Sequence, residues 1–300
     1  MVDEEAVIQL PLSGLELATF LLLACTIGVL WIARWAWLMG VILTIAVGYL
    51  SGVLIGLAAL WIAALAAACQ FYATSRTQPA AWKNRAMRAV AVLAIGVLSI
   101  GLAVHLIPGF HNRRIVSSVI LSAGAAPYDL WLNFDKTVAG LLVLALCYRG
   151  LIRTRAELTT ALKRAAIPIA LTIIILLSLS LGVGYVRWAP KLTSLFWLWA
   201  AVNLLSTCMS EEAFFRGFIQ TELSEGLRHL RYGRAGAVVV SATLFGMAHI
   251  AGGLTYVGLA TAAGLGYGMI FQRTQRIEMS ILAHFSLNAT HFLFFTYPYA

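Results

Sequence analysis

The sequence contains few charged residues. Asp, Glu, Lys and Arg together make up 11% of its 300 residues, whereas a typical soluble domain contains about 25%. Hydrophobic residues make up 61%, and the mean hydropathy is +0.88. This composition excludes an ordinary water-soluble domain and indicates an integral membrane protein.

Cysteine is also scarce, and it is not arranged for crosslinking or metal binding. The chain has four cysteines, all in or beside apolar segments and none in a CxxC pair: Cys25, Cys69, Cys147 and Cys208. Such spacing argues against both a disulfide framework and a cysteine metal site. We expect these side chains to pack as small hydrophobes.

Acidic residues are fewer than basic ones, 12 against 21, which gives a formal net charge of +9. A basic chain suggests nucleic-acid binding, but these Lys and Arg residues form short clusters between apolar runs, where the positive-inside rule places them. We therefore predict no nucleic-acid partner and a cytoplasmic side for all the clusters. They are Arg34, the 76–88 loop, the 149–164 loop, Arg228 to Arg234, and Arg273 with Arg276.

Long apolar runs dominate the rest of the chain. A spanning helix needs about 20 such residues, and the clearest runs are 15–33, 89–107, 167–186 and 254–271. The uncharged stretch 35–74 is too long for one span, and the turn formers at 48–52 predict that it forms a hairpin. We predict an all-α, polytopic transmembrane helical bundle of roughly 8–10 spans. The acidic start, MVDEE, predicts a retained first helix rather than a cleaved signal peptide.

Adjacent carboxylates interrupt one of these apolar runs, in the sequence EExxxR at 211–216. An ionisable group in the bilayer costs several kcal/mol unless it is paired or hydrated, so it marks a candidate functional site. The spacing of four predicts an ion pair between Glu212 and Arg216. Glu211 points about 100° away around the helix and is predicted to be free for other work.

Histidines interrupt two later runs. His249 ends the sequence FxxxH at 245–249, and His284 begins HxxxN, in which Asn288 lies on the same helix face. His291 follows on nearly the same stripe. We estimated the depth of each group by counting residues from the nearest basic cluster or tryptophan, which mark the membrane surfaces. By this count, these groups and Glu211 all lie within the middle half of a hydrocarbon core about 30 Å thick. We therefore expect them to converge.

A free carboxylate near a histidine can activate water, because the carboxylate accepts the proton while the imidazole orients the water or relays that proton. A second histidine beside an asparagine amide supplies donors for a developing oxyanion. Together they indicate amide hydrolysis without a covalent intermediate. The chain contains no GxSxG elbow and no HExxH, so serine and thermolysin-type mechanisms lack their residues.

The three motifs, EExxxR, FxxxH and HxxxN, occur in this order on successive membrane helices and resemble those of the CPBP family. These CAAX proteases and bacteriocin-processing enzymes, also called the Abi family, are glutamic-type intramembrane endopeptidases related to the type II CAAX prenyl proteases. The resemblance covers roughly residues 195–295. It implies that Glu211 is the general base and that His249 helps to activate the water. It also implies that His284 and Asn288 form the oxyanion site.

By the same resemblance, Glu212 and Arg216 support the arrangement, and His291 is a possible further member. The resemblance implies an endopeptidase in the bacterial inner or cytoplasmic membrane. It would act without a cofactor on a membrane-embedded or lipid-linked peptide or protein, in contact with the lipid bilayer. We divide the chain into N-terminal transmembrane helices of unclear role, 1–150, and a CPBP-like protease core, 151–300. The substrate and its cleavage site are left open.

Three other functions are compatible with these residues. Glu211, His249 and His284 could form the one-carboxylate, two-histidine zinc site of a membrane metalloprotease. A transporter could use the same groups to relay protons, but it predicts related halves or broken helices, and neither is evident. A non-catalytic membrane scaffold or immunity protein would tolerate the loss of Glu211.

A polar stretch separates the early helices from the later ones. Residues 105–136 include His105, His111, Asp129, Asp135 and Lys136. We predict a solvated loop with turn formers at its ends. The alternative hypothesis is a substrate-gating element over the site.

Overall fold

The fold of this protein is a bundle of helices with one small sheet, seen in a computed structural model that describes residues 12–33, 35–77 and 82–300. The MVDEE segment and Arg34, which entered the predictions above, lie outside those ranges. The structure is 72% helical. The helices are α1 (Gly14–Ile32), α2 (Ala36–Leu50), α3 (Ala58–Ser75), α4 (Trp82–Ala103), α5 (Phe134–Cys147), α6 (Arg155–Gly182), α7 (residues 196–226), α8 (Gly233–Met247), α9 (Gly253–Thr274) and α10 (Ile277–Phe294).

Five of these helices are long and apolar enough to cross a membrane by length and composition: α1, α3, α4, α6 and α9. The all-α polytopic class is confirmed, and the chain is an integral membrane protein. The uncharged stretch is divided near the predicted turn, because α2 ends at Leu50 and α3 begins at Ala58. However, α2 packs on α1 and α3 packs on α4 and α5, so the two helices do not pair as the predicted hairpin. The number of spans beyond these five stays a prediction.

Helix α7 carries the adjacent glutamates and is not a uniform α-helix. Its α-helical parts are Phe196–Val202, Met209–Glu212 and Thr221–Gly226. Between them lie two π-helical stretches, Asn203–Cys208 and Ala213–Gln220. Such π turns often occur at functional sites. Here they flank both glutamates, at the point where α7 contacts α5, α8 and α10.

The basic loops meet at one end of the bundle, as the sequence predicted, and we call this the basic end. Arg88 of α4 donates to Glu222 and Glu225 near the end of α7, at 2.6 Å each. At the same end, Arg276, which precedes α10, donates to Glu157 of α6 at 2.9 Å. That this end faces the cytoplasm stays a prediction.

The opposite end carries the sheet. Strands β1 (Arg113–Val119) and β2 (Tyr128–Leu132) pair antiparallel. Their Val, Ile, Trp and Tyr content favours strands. The prediction of a solvated loop over 105–136 was therefore wrong at 113–119 and 128–132, because these residues pair as a hairpin whose base is tied to α5.

Asp135, in the first turn of α5, is that tie. Its side chain is 1% exposed and accepts hydrogen bonds from Asn112 Nδ2 at 3.0 and 3.1 Å. His105 Nδ1 lies 2.8 Å from the same carboxylate. Asn112 Oδ1 in turn accepts from the backbone N–H of Phe134 at 2.8 Å, which satisfies a donor at the start of α5. The hairpin base and the start of α5 are thus one hydrogen-bonded unit.

The hydrophobic core does not separate at residue 150. One cluster of buried side chains includes Leu141 and Leu144 of α5 with Cys208 and Ala213 of α7, and it extends through α1 to α4. Three of the four cysteines are buried as expected, while Cys25 is exposed. The division at residue 150 stays a prediction, but the helices on its two sides pack as one body around α5 and α7.

Replacing Asp135 with Ala should destabilise the protein by about 1–3 kcal/mol, because it removes the buried carboxylate that accepts from Asn112 and contacts His105 at the base of the hairpin. The matched control is Asp129→Ala in β2, whose exposed carboxylate accepts from the Ser118 N–H at 2.7 Å and is 3.9 Å from Arg114; that change should cost roughly 1 kcal/mol or less. Thermal unfolding of both purified variants in detergent measures the difference. Equal losses would contradict the structural role of Asp135.

Candidate active site

A fully buried ion pair lies at the centre of the bundle. Glu212 and Arg216 are both 0% exposed, and Arg216 Nη1 donates to Glu212 Oε1 at 3.0 Å, so the predicted pair is present. Arg216 Nη2 also donates to the Gly264 carbonyl of α9 at 3.0 Å. The guanidinium lies over the Phe245 ring at 4.5 Å. A cation–π contact of this kind compensates part of the lost hydration.

His284 joins the same pair from α10. Its Nδ1 is 2.9 Å from Glu212 Oε1, and its ring stacks on Tyr267 with centroids 4.8 Å apart. A carboxylate accepts only from a protonated nitrogen, so Nδ1 carries the proton. Glu212 therefore fixes the orientation of the ring and leaves Nε2 for a ligand.

Glu211 points away from this network. Its side chain is 13% exposed, and its Oε1 accepts a hydrogen bond from Lys136 Nζ of α5 at 2.7 Å. The prediction that Glu211 is free was therefore wrong for one oxygen. The other oxygen, Oε2, is buried without a hydrogen-bond partner among the described residues and lies 3.9 Å from His249 Nε2.

His249 lies just beyond the end of α8 rather than within a helix. Its Nδ1 is 2.8 Å from the Phe245 carbonyl, four residues earlier, which explains the FxxxH spacing. Because a carbonyl only accepts, Nδ1 is the donor there, and Nε2 of the neutral ring is an acceptor directed towards Glu211.

Asn288 and His291 lie further along α10. Asn288 Nδ2 donates to Asn203 Oδ1 at 3.2 Å, and Asn203 belongs to the first π-helical stretch of α7. His291 Nε2 lies 3.0 Å from the Thr296 carbonyl. Asn203 was not foreseen, because its placement depends on the π turn.

Two cavities meet at Glu211 and His249. The first, of about 360 Å³, lies between α6, α7, α9 and α10. The second, of about 280 Å³, lies between α4, α5 and α7. All the predicted catalytic residues line the first cavity, together with His291 and several tyrosines: Glu211, His249, His284, Asn288, Tyr128, Tyr256, Tyr267 and Tyr297.

Lys136 is the site residue that sequence reasoning missed. We assigned it to the polar stretch before α5, yet its ammonium reaches the carboxylate of Glu211 across 75 positions of sequence. A count of the buried charges could have indicated it. Arg216 neutralises one of two adjacent carboxylates, so a second cation must come from elsewhere. Lys136 begins an apolar helix and was the lysine to consider.

The proposed zinc ligands do not form a common set. Glu211 and His249 face each other, but Nδ1 of His284 contacts Glu212 instead. Throughout the described part of the chain, no three His, Cys, Asp or Glu side chains are grouped to hold a metal ion.

Close packing of α5 on α7 holds Lys136 against Glu211, and Gly140 makes it possible. A Cβ at Gly140 would lie 2.3 Å from Ser210 Oγ and 2.4 Å from Ser210 Cα. Gly140→Ala should therefore push the helices apart and cost about 1–3 kcal/mol in thermal unfolding. The matched control, Gly96→Ala on α4, meets nothing within 4 Å and should be neutral or slightly stabilising. Equal behaviour of the two variants would contradict the close packing.

Part of the chain matches a known protein family. Residues 193–290, about a third of the chain, match the family model described as type II CAAX prenyl endopeptidase Rce1-like. No curated protein and no solved structure gave a significant match. The match covers α7 to α10, the helices that carry all three motifs. The predicted resemblance is confirmed over this part of the chain, and the match supports a CAAX-type intramembrane protease in general.

Proposed function

We propose that this protein is a glutamic-type intramembrane endopeptidase that hydrolyses a peptide bond in a membrane-associated or lipid-linked substrate. One observation carries the proposal. Glu211 Oε2 is buried without a hydrogen-bond partner among the described residues, and it faces His249 Nε2 across 3.9 Å where two cavities meet. Unsatisfied buried acceptors are costly, so such an atom indicates a ligand.

Water is the ligand that this gap fits. A distance of 3.9 Å is too long for a direct hydrogen bond, but one water molecule can donate to both acceptors at about 2.8 Å. Its oxygen lone pairs are then directed away from Glu211 and His249. As the water oxygen attacks the substrate carbonyl carbon, Glu211 accepts one of its protons, and the carbonyl oxygen becomes an oxyanion.

His284 and Asn288 are the proposed donors to that oxyanion. Glu212 holds His284 through Nδ1, so Nε2 can donate when the ring is doubly protonated. Asn288 Nδ2 donates to Asn203 Oδ1 at 3.2 Å and to Cys208 Sγ at 3.8 Å. Because sulfur is a weak acceptor, an oxyanion can replace it as the partner of the second amide proton. Fixed donors of this kind typically contribute more than any other group to acyl-transfer catalysis.

The reaction ends with proton return to the leaving amine. When the carbon–nitrogen bond breaks, the proton held by Glu211 passes to the departing nitrogen, directly or through His249. Glu212 and Arg216 are not reacting groups in this scheme. Their role is to hold His284 and the backbone of α7 in place, because both lie in the buried network that joins α7 to α9 and α10.

The proposed setting is the inner or cytoplasmic membrane of a bacterium, with a membrane-embedded or lipid-linked peptide as substrate. Apolar helices surround the site, so a water-soluble substrate would have to leave water to reach it. The peptidase region supports proteolysis, and a scaffold or immunity role predicts instead that Glu211 is dispensable.

Glu211→Gln should lower peptide hydrolysis by about 100-fold or more, because the amide cannot accept the proton. The measurement is mass spectrometry of membrane peptides and protein C-termini in cells that express the wild type or the variant. Glu225→Gln, near the end of the same helix at the basic end, is the control and should retain the products. Products that persist at wild-type levels in Glu211→Gln would sink the proposal and favour the scaffold role.

Removal of metal separates the glutamic mechanism from the zinc alternative. Purified wild type treated with a strong chelator should hydrolyse the products' parent peptides at an unchanged rate, since Glu211 and His249 activate the water themselves. Elemental analysis of the same sample gives its zinc content. Loss of activity that added zinc restores would establish the metalloprotease instead.

A further inference from the structure

A third cavity lies at the basic end, away from the proposed active site. Its volume is about 420 Å³, and its walls come from the end of α7, the start of α8 with the turn before it, and the end of α9. Its lining is polar except for Phe271: Thr221, Ser224, Glu225, Arg228, Arg234, Gln272 and Gln275. None of these residues belongs to the three motifs, so the proposed hydrolysis gives them no role.

Two arginines on this cavity have no ion pair. In the part of the chain that the structure describes, the side chains of Arg228 and Arg234 form neither a salt bridge nor a hydrogen bond. By contrast, Arg88 and Arg276 at the same end each donate to glutamates. A guanidinium has five N–H donors and a permanent charge. Arg228 and Arg234 therefore present donors and positive charge that the protein itself does not use.

The acidic residue on the cavity, Glu225, does not compensate these charges. Its Oε2 accepts from Arg88 Nη2 at 2.6 Å, and its Oε1 forms an ion pair with Arg76. Neither of these arginines lines the cavity. Both oxygens of Glu225 are thus held by other cations, and the charge left at the cavity is positive. The complementary ligand is an anion.

Neutral donors accompany the two arginines. Ser224 and Gln272 line the cavity, and within the described ranges neither side chain forms a hydrogen bond. Their hydroxyl and amide groups can donate to the same ligand as the guanidinium groups. A phosphate group accepts at several oxygens and matches the planar fork of arginine. The donors on this cavity therefore fit a phosphate group.

The surface beside the cavity is apolar, which favours a lipid phosphate over a soluble one. Leu230 and Tyr232, between the two arginines in sequence, are 52% and 68% exposed. Past Arg234, the exposed part of α8 is apolar except at Thr243, whose hydroxyl donates to a backbone carbonyl of the same helix. Its large exposed side chains are Val239, Val240, Leu244 and Met247.

This arrangement matches the two parts of a phospholipid. Basic pockets between membrane helices bind anionic headgroups, while acyl chains contact the apolar helix surface. We propose that the third cavity binds the phosphate headgroup of an anionic phospholipid through Arg228 and Arg234, and that the acyl chains of this lipid lie along the exposed face of α8. The headgroup then links the end of α7 to α8 and α9. This inference does not depend on the proposed function, because no residue of the cavity takes part in the hydrolysis.

Lipid binding to the purified full-length protein tests the site. The protein, in a neutral detergent, is titrated with phosphatidylglycerol, phosphatidylcholine or glycerol 3-phosphate, and native mass spectrometry counts the bound molecules. Phosphatidylcholine has the same acyl chains but no net charge, and glycerol 3-phosphate has the charge but no acyl chains. Wild type should bind one phosphatidylglycerol about tenfold or more tightly than either, because only this lipid supplies both charge-assisted hydrogen bonds and apolar contact.

Variants then assign the preference to residues. Arg228→Gln and Arg234→Gln should each reduce the preference for phosphatidylglycerol over phosphatidylcholine several-fold, and the double variant should remove it. Arg155→Gln is the matched control, because it removes an exposed arginine at the same end of the bundle but outside the cavity. It should leave the preference unchanged. The readout is a ratio of two lipids on one protein, so a general loss of folding does not imitate it.

Three results would overturn the inference. Equal affinity for phosphatidylglycerol and phosphatidylcholine would exclude an anionic site. A preference that falls as much in Arg155→Gln as in the double variant would assign it to the general attraction between a basic surface and anionic lipid. Glycerol 3-phosphate that binds as tightly as phosphatidylglycerol would assign the cavity to a soluble phosphate. The Glu211→Gln variant should bind phosphatidylglycerol as wild type does, whether or not it loses hydrolysis.

Discussion

The buried guanidinium of Arg216 is the interaction on which the rest of the site depends. A charge at 0% exposure in an apolar bundle costs several kcal/mol unless hydrogen bonds and a counter-ion compensate it. Here Glu212 supplies the charge, and the Gly264 carbonyl supplies a second acceptor. Since Glu212 also contacts His284, one compensated charge fixes α7, α9 and α10 to one another. The direction of Glu211, one residue earlier, follows from that fixed helix.

The two glutamates lie in different environments because neighbouring residues on a helix point about 100° apart. Glu212 faces the buried network, where its Oε1 contacts both Arg216 and His284, whereas Glu211 faces the junction of the cavities, where its Oε2 lies near His249. Each carboxylate has its own cation, and the two cations come from different parts of the chain. Arg216 comes from the same helix, and Lys136 comes from α5. The early helices are thus part of the site through Lys136, as well as part of the common core.

The sequence could predict those features that depend on local spacing. The i,i+4 pair of Glu212 and Arg216 follows from helix geometry, as does the reach of His249 back to the Phe245 carbonyl. The polytopic class follows from composition. Lys136 and Asn203 could not be found in that way, because one depends on a contact 75 residues distant and the other on a π turn that rotates the helix out of its regular period. The β-hairpin of β1 and β2 was missed because short alternating strands in a polar stretch give a weak signal beside long apolar runs.

The two cavities also explain why the family match can stop where it does. Residues 193–290 contain the proposed base, both histidines and the asparagine, which is enough for water activation and oxyanion binding. The second cavity takes its other walls from α4 and α5, which precede the match. The proposed water-activating groups and the remaining walls of the second cavity thus come from different parts of the chain, which meet at Glu211.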